Sequence, residues 1–213
     1  MRGLSRAVAH PGATWGRSAH LTVKFMDNPS APLKTKILGY MNAWRADSDV
    51  HLSFVESAEG QIRISRVDGE GNWAEIGNHA AAVPAHEATM NLDNITDAAL
   101  ESQIRRIVMH ETGHCIGLLH EHLRQELVDR IVPHLAIDYF ADLNGWDETR
   151  TRTEVLSALT DPSLLTGGAP DPDSVMCYFI PGSITTDGVP ILGGGKPSAG
   201  DIAFVKRLYP GAP

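Results

Sequence analysis

The chain predicts a mixed α+β fold of two lobes with a cleft between them, and three observations carry that prediction. Four or five short strand patterns crowd the first half. One apolar-striped helix spans the middle and carries His110, Glu111 and His114, with Gly117 and His120 just past its end, and the sequence beyond Glu121 turns irregular before a last helix. At 213 residues the chain can bury a core without staples, and no repeat, low-complexity tract or composition shift marks a second domain. One domain is expected over 1–213, with an N-terminal arm over 1–18, a lobe over 19–119 that includes the central helix, and a second lobe over 120–213.

The elements follow in order. Residues up to 18 are rich in Gly, Ala and Pro without a period, as in an arm lying on the domain. Residues 20–25 alternate, with Leu21, Val23 and Phe25 on one face of a first strand. Asn28 and Pro29 punctuate, and Ser30 caps a helix running to about Trp44 with Ile37, Leu38, Met41 and Trp44 as its buried stripe. Residues 51–55 and 61–65 make two more strands around a polar turn at Glu59–Gly60. A short edge strand is expected over 73–77 and a weaker one over 88–92.

The central helix is expected to start at Thr96–Asp97, with Leu100, Ile104, Ile107 and Val108 leading its apolar face toward Ile116 and Leu119. A helical stretch follows over 149–159 and a Gly/Pro/Asp loop over 166–172. Ser198 and Asp201 have the spacing of a capping box for a final helix through Ile202, Val205 and Leu208, stopped by Pro210–Gly211.

Composition narrows the function. A net charge of -8 without a Lys/Arg cluster argues against a nucleic-acid partner. No apolar run reaches bilayer-spanning length, so no membrane partner is expected. Arg2, Arg6 and Arg17 occur in the first twenty residues without an apolar core of a leader, so no secretory signal is legible. The two cysteines, Cys115 and Cys177, are expected as buried thiols, with a disulfide between them as the alternative.

The central motif reads as metal chemistry. His110 and His114, four apart, share one helix face, so both imidazoles can reach one ion. Gly117 lets the helix stop through positive φ, and that turn can bring His120 to the ion from another direction. Glu111 lies about 100° round the helix from His110, better placed to touch a water than the metal. Three neutral nitrogens and an open position are the arrangement of catalytic zinc. Chance placement of these five residues has odds on the order of one in ten thousand. Downstream, Ser174-Val175-Met176-Cys177-Tyr178 sits between loops, where Met is ordinarily core filler and Tyr a half-buried phenol.

Taken together, His110-Glu111-x-x-His114-x-x-Gly117-x-x-His120-Glu121, His122, Arg124 and Ser174-x-Met176-x-Tyr178 resemble the metzincin zinc peptidases and, among them, the astacin family. The resemblance implies a two-lobed catalytic domain with a short, twisted, mostly parallel sheet, two long helices and one zinc ion in the cleft. It implies His110, His114 and His120 as ligands, Tyr178 as a further ligand that also stabilises the oxyanion, and Glu111 as general base. Gly117, Glu121 and Met176 would be structural at the site, Met176 as a hydrophobic floor under the metal.

The sequence departs from the family at Cys177, where a histidine is usual, at Gln125-Glu126-Leu127, and in lacking the cysteines that clamp the lobes, which leaves packing alone to hold them. The family's buried mature N-terminus, which meets the glutamate corresponding to Glu121, maps by counting to Arg6–Ala7, an expected trimming point.

The expected activity is hydrolysis of internal peptide bonds in an extended polypeptide by a monomeric enzyme. It would be secreted or exported by family resemblance, although composition leaves a cytoplasmic location open. Two alternatives stay open: a zinc-holding but catalytically impaired peptide-binding module, and a metzincin of another branch, including a zinc amidase.

Overall fold

The computed structural model describes residues 7–45 and 49–211. Positions 1–6 of the expected arm, including Arg2 and the Arg6 side of the proposed trimming point, lie outside the described residues.

A five-stranded sheet forms one side of the molecule. Its strands are β2 (Ala19–Phe25), β3 (Leu52–Glu56), β4 (Ile62–Ser65), β5 (Trp73–Ala74) and β6 (Met90–Asn91), in the order β3-β2-β4-β6-β5. The pairs β2–β3, β2–β4 and β4–β6 are parallel, in registers Leu21↔Phe54, Val23↔Ile62 and Ile64↔Met90, and β5 closes the edge antiparallel with Trp73 opposite Asn91. Parallel neighbours need a crossover. Helix α1 (Ala31–Asn42) supplies the one between β2 and β3, and Ser30 caps it by accepting the Leu33 N–H at 3.2 Å. The expected alternation is present in β2, where Ala19, Leu21, Val23 and Phe25 are buried.

Helix α2 (Glu101–Cys115) lies against α1, and Trp44 between them is fully buried with its indole N–H on Met109 O at 2.9 Å. α2 begins at Glu101 rather than at Thr96–Asp97. Both expected capping side chains are engaged elsewhere: Thr96 Oγ1 accepts the Ala98 N–H in a preceding turn, and Asp97 accepts the Ser30 hydroxyl at 2.6 Å.

The second lobe is more helical than the sequence reading allowed. After α3 (Gln125–Val128), helix α4 spans Pro133–Asn144, with Pro133 in its first turn and Gly145 in the left-handed conformation at its end. Helix α5 (Glu148–Thr151) runs into a π-helical turn, Arg152–Leu156, inside the stretch expected as helix. The last helix, α6 (Ala199–Leu208), opens on the predicted capping box of Ser198 and Asp201.

Two hydrophobic clusters mark the lobes. The larger joins the sheet, α1, α2 and α6 and includes Cys115 and Met176; the smaller joins Leu127, Phe140, Val155, Cys177 and Ile180. Both thiols are buried and free.

The missing cysteines imply that packing alone holds the lobes, and backbone pairing corrects that expectation. Strand β1 (Val8–Ala9) runs antiparallel to β7 (Leu165–Thr166) and also receives the Leu119 N–H on Val8 O at 2.9 Å. The arm is therefore a strand that ties the end of α2 to the second lobe. Its two-residue length left no period to read.

Candidate metal centre

The end of α2 sets the geometry. Leu118 N–H bonds Gly113 O at 2.9 Å and Gly117 N–H bonds His114 O at 2.8 Å, with Gly117 at φ +93°. This pair of reversed bonds turns the chain off the helix axis and requires positive φ at its pivot. Two distant side chains cover the exposed helix-end carbonyls: Trp15 Nε1 bonds Cys115 O at 2.8 Å and Tyr209 Oη bonds Ile116 O at 2.9 Å. With the end fixed, the returning chain places His120 opposite His110 and His114.

The three imidazoles converge. His110 Nε2 and His114 Nε2 lie 3.2 and 3.1 Å from His120 Nε2, and the three ring nitrogens fall within 4.8 Å of one another. His110 Nδ1 faces Val175 O at 2.7 Å, and His114 Nδ1 faces Leu118 O at 2.9 Å. A carbonyl can only accept, so both Nδ1 atoms carry the proton and both Nε2 atoms present lone pairs. Burial holds His110 and His120 well below the usual imidazole range and His114 down to about 4, so the rings are neutral. His120 Nε2 faces both, and one cation at the centre of the three nitrogens would take a lone pair from each. Tetrahedral zinc with nitrogens about 2.0–2.1 Å away separates those nitrogens by about 3.3 Å, and the observed spacings fit.

Glu111 is buried beside them, its Oε2 without a hydrogen-bond partner among the described residues, and burial raises its carboxyl to about 8 before any cation's charge is counted. It lines the same cavity of about 690 Å³ as the three histidines. The opposite walls of this cleft are β5 with Trp73 and Ala74, and the second lobe with Phe140, Trp146, Arg150 and Tyr178. The Tyr178 ring lies 4.6 Å from that of His120 and 6.0 Å from that of His110, centre to centre.

The turn carrying Met176 is built by α6. Asp201, fully buried, accepts the Ser174 hydroxyl at 2.7 Å and the N–H groups of Val175 and Ser198 at 3.1 and 2.9 Å. The carboxylate that caps α6 thus also holds the peptide whose Val175 O orients His110. Met176 is buried against α2 at Gly113, where an added Cβ would lie 2.3 Å from its Sδ. Glu121 is wholly buried, accepts the Asp171 N–H at 3.0 Å, and has Arg124 at 3.6 Å. Its other oxygen has no partner among the described residues, and burial outweighs these contacts to raise its carboxyl to about 8.

Two residues of the site carried no assigned role in the sequence. Arg106 donates to Gly194 O and to Cys177 O, the latter at 3.0 Å, and no motif announces it. His122 is fully buried and joins the Tyr178 backbone to the π-helical turn. Its place in the motif was legible, its partners were not.

This two-lobed α+β fold, with three imidazoles converging in the cleft, defines the class as a zinc-dependent metalloendopeptidase. The family follows from the sequence: the model of the astacin peptidase family matches residues 7–136, more than half of the chain, and the chain belongs to that family. A structure of myroilysin superposes with a TM-score of 0.87 at 25% identity, covering 97% of this chain and 100% of that one. A second myroilysin crystal structure gives 0.67 at 25% identity over 93% of this chain and 86% of that one. High choriolytic enzyme 1, a hatching enzyme zinc-protease from Oryzias latipes (Medaka fish), shares the fold, with a TM-score of 0.58 at 18% identity over 93% of this chain and 94% of that one. A search of curated protein sequences finds no match. Among the described residues no helix is long and apolar enough to cross a membrane.

Proposed function

We propose that the chain cleaves internal peptide bonds of extended polypeptides, with Glu111 as general base and His110, His114 and His120 holding the zinc ion. The observation that carries this is the unpaired, buried Glu111 Oε2 lining the same cavity as three neutral imidazoles. Zinc bound there supplies Lewis acidity for the scissile carbonyl and makes water acidic enough to attack near neutral pH. Glu111 Oε2 takes a proton from the attacking water and returns it to the leaving amine. Burial supports that role, because a carboxylate whose pKa is raised toward neutrality is a stronger base and takes the proton from water more readily.

Tyr178 is assigned the hydroxyl that stabilises the developing oxyanion and a place as further ligand in the resting enzyme, supported by its ring lying against His120. Gly117, Glu121 and Met176 hold the frame: the helix stop, the link between the third histidine and the turn, and the floor under Gly113. β5 is the sheet's outer strand and lines the cleft, so substrate backbone can add to it as a further strand.

On the same reading, 1–213 is one catalytic domain acting as a monomer, with polypeptide rather than nucleic acid or membrane as its partner. Export accords with a family whose members are generally secreted. The test is digestion of casein by purified protein before and after removal of metal with a chelator. Cleavage that stops on chelation and returns with added zinc is expected; metal-loaded protein that binds casein without cutting it would establish the binding-module alternative instead.

A further inference from the structure

We infer that His122 is a positioning residue for Tyr178, acting through its own hydrogen bonds rather than through the metal. The inference rests on the assignment of Tyr178 as the oxyanion donor and adds to it the part that holds this side chain in place. His122 has no exposed surface, so both ring nitrogens must find partners inside the protein. Nδ1 lies 3.1 Å from the Tyr178 N–H and Nε2 lies 2.8 Å from Glu154 O. The amide can only donate and the carbonyl can only accept, so the proton sits on Nε2. This is the reverse of His110 and His114, whose Nδ1 atoms carry it. Both nitrogens of His122 are thus committed, and the ring cannot be a fourth ligand although it lies 5.0 Å from the His120 ring.

The other two contacts of this unit show why it is rigid. The imidazole stacks under the Tyr178 phenol ring, 4.5 Å away at 24°. Glu154 belongs to the π-helical turn, in which an amide bonds the carbonyl five residues before it. The Leu159 N–H, which would continue that pattern to Glu154 O, instead bonds Leu123 O at 2.9 Å, and His122 takes up the carbonyl. The irregular helix end and the turn after His120 are therefore stitched together around one imidazole, which fixes Tyr178 at its backbone and at its ring.

The experiment is a double-mutant cycle on the zinc-loaded enzyme with His122→Leu and Tyr178→Phe, reading kcat, KM and zinc content. Leucine keeps the volume and removes both hydrogen bonds. Tyr178→Phe alone is expected to lower kcat by about a hundredfold, and His122→Leu by roughly tenfold with KM and zinc unchanged. In the Tyr178→Phe background the histidine change should then alter kcat less than about twofold, because the group it positions is gone.

Equal losses in both backgrounds, loss of zinc, or an unchanged kcat in His122→Leu would overturn the inference. An unchanged kcat in Tyr178→Phe would overturn the assignment of Tyr178 itself. His122→Asn, whose Oδ1 can still accept the Tyr178 N–H, should keep most of the rate. Should the leucine variant not fold, His122→Phe, which keeps the ring and removes both hydrogen bonds, carries the same cycle, and a loss shared equally by both backgrounds contradicts the inference again.

Discussion

Gly113 lies between the two helical histidines, and Gly113→Ala asks how much the floor under the metal contributes. In an exposed helix interior that change stabilises by about 0.5–1 kcal/mol, because alanine costs less backbone entropy than glycine. Here the new Cβ would meet Met176 Sδ at 2.3 Å, and Met176 Cε and Trp44 Cζ2 at 3.1 Å each. The first contact is roughly 1.5 Å inside a normal van der Waals separation. Trp44 is fixed by its bond to Met109 O and Met176 is buried on every side, so Met176 must give way.

Overpacking of this kind costs about 1–3 kcal/mol, leaving a net loss of about 1–2 kcal/mol after the helix gain. For a domain of this size that lowers Tm by about 2–8 °C. Gly39 in α1 is the control, since a Cβ there meets nothing within 4 Å and Gly39→Ala should raise Tm. Thermal unfolding of both variants, with zinc content measured on each, reads the result. If Gly113→Ala were as stabilising as Gly39→Ala and held zinc as tightly as the wild type, the packing of Met176 on the ligand helix would not matter as argued.

Asp201 gives a pH dependence. Burial raises its folded pKa to about 6, above an unfolded value of about 3.8, so the folded state binds the extra proton. Its contribution is fully present below pH 4 and is lost as pH rises through about 6, a change of about 3 kcal/mol. Asp201→Asn, whose amide can serve the same partners, should flatten the stability profile between pH 4 and 6; an unaltered slope in urea melts would refute the shift. Gly117→Ala places a side chain at φ +93°, which costs about 1–2 kcal/mol. It should lower both Tm and zinc affinity, because the turn delivers His120; wild-type values for both would show that the turn tolerates the change.

The motif was legible because its geometry is local: a helix face fixes His110 and His114, and a single glycine announces the return of His120. The strands of the five-stranded sheet and the capping box at Ser198 were legible for the same reason. Helix α4 was missed although its signals are present. Pro133 opens it, Ala136 and Phe140 share its buried face, and Gly145 ends it in the left-handed conformation. The start of α2 was misplaced because Thr96 and Asp97 are good caps by type, yet their side chains serve a turn and Ser30.

What lay beyond reach is non-local. Nothing near Val8 predicts its pairing with Thr166, and nothing near Arg106 predicts Cys177 O as its acceptor. Asp201 was read as a cap and does cap, but its second task, holding the peptide that orients His110, becomes visible only when α6 and the Met176 turn meet.

The most direct test of the site is Glu111→Ala, with zinc content and peptide cleavage measured on the same sample. About one zinc per chain is expected in wild type and variant alike, with kcat lower by roughly a hundredfold to ten-thousandfold in the variant. A variant that cleaves at a near-normal rate would contradict Glu111 as the base, and one that no longer holds zinc would make it a ligand instead.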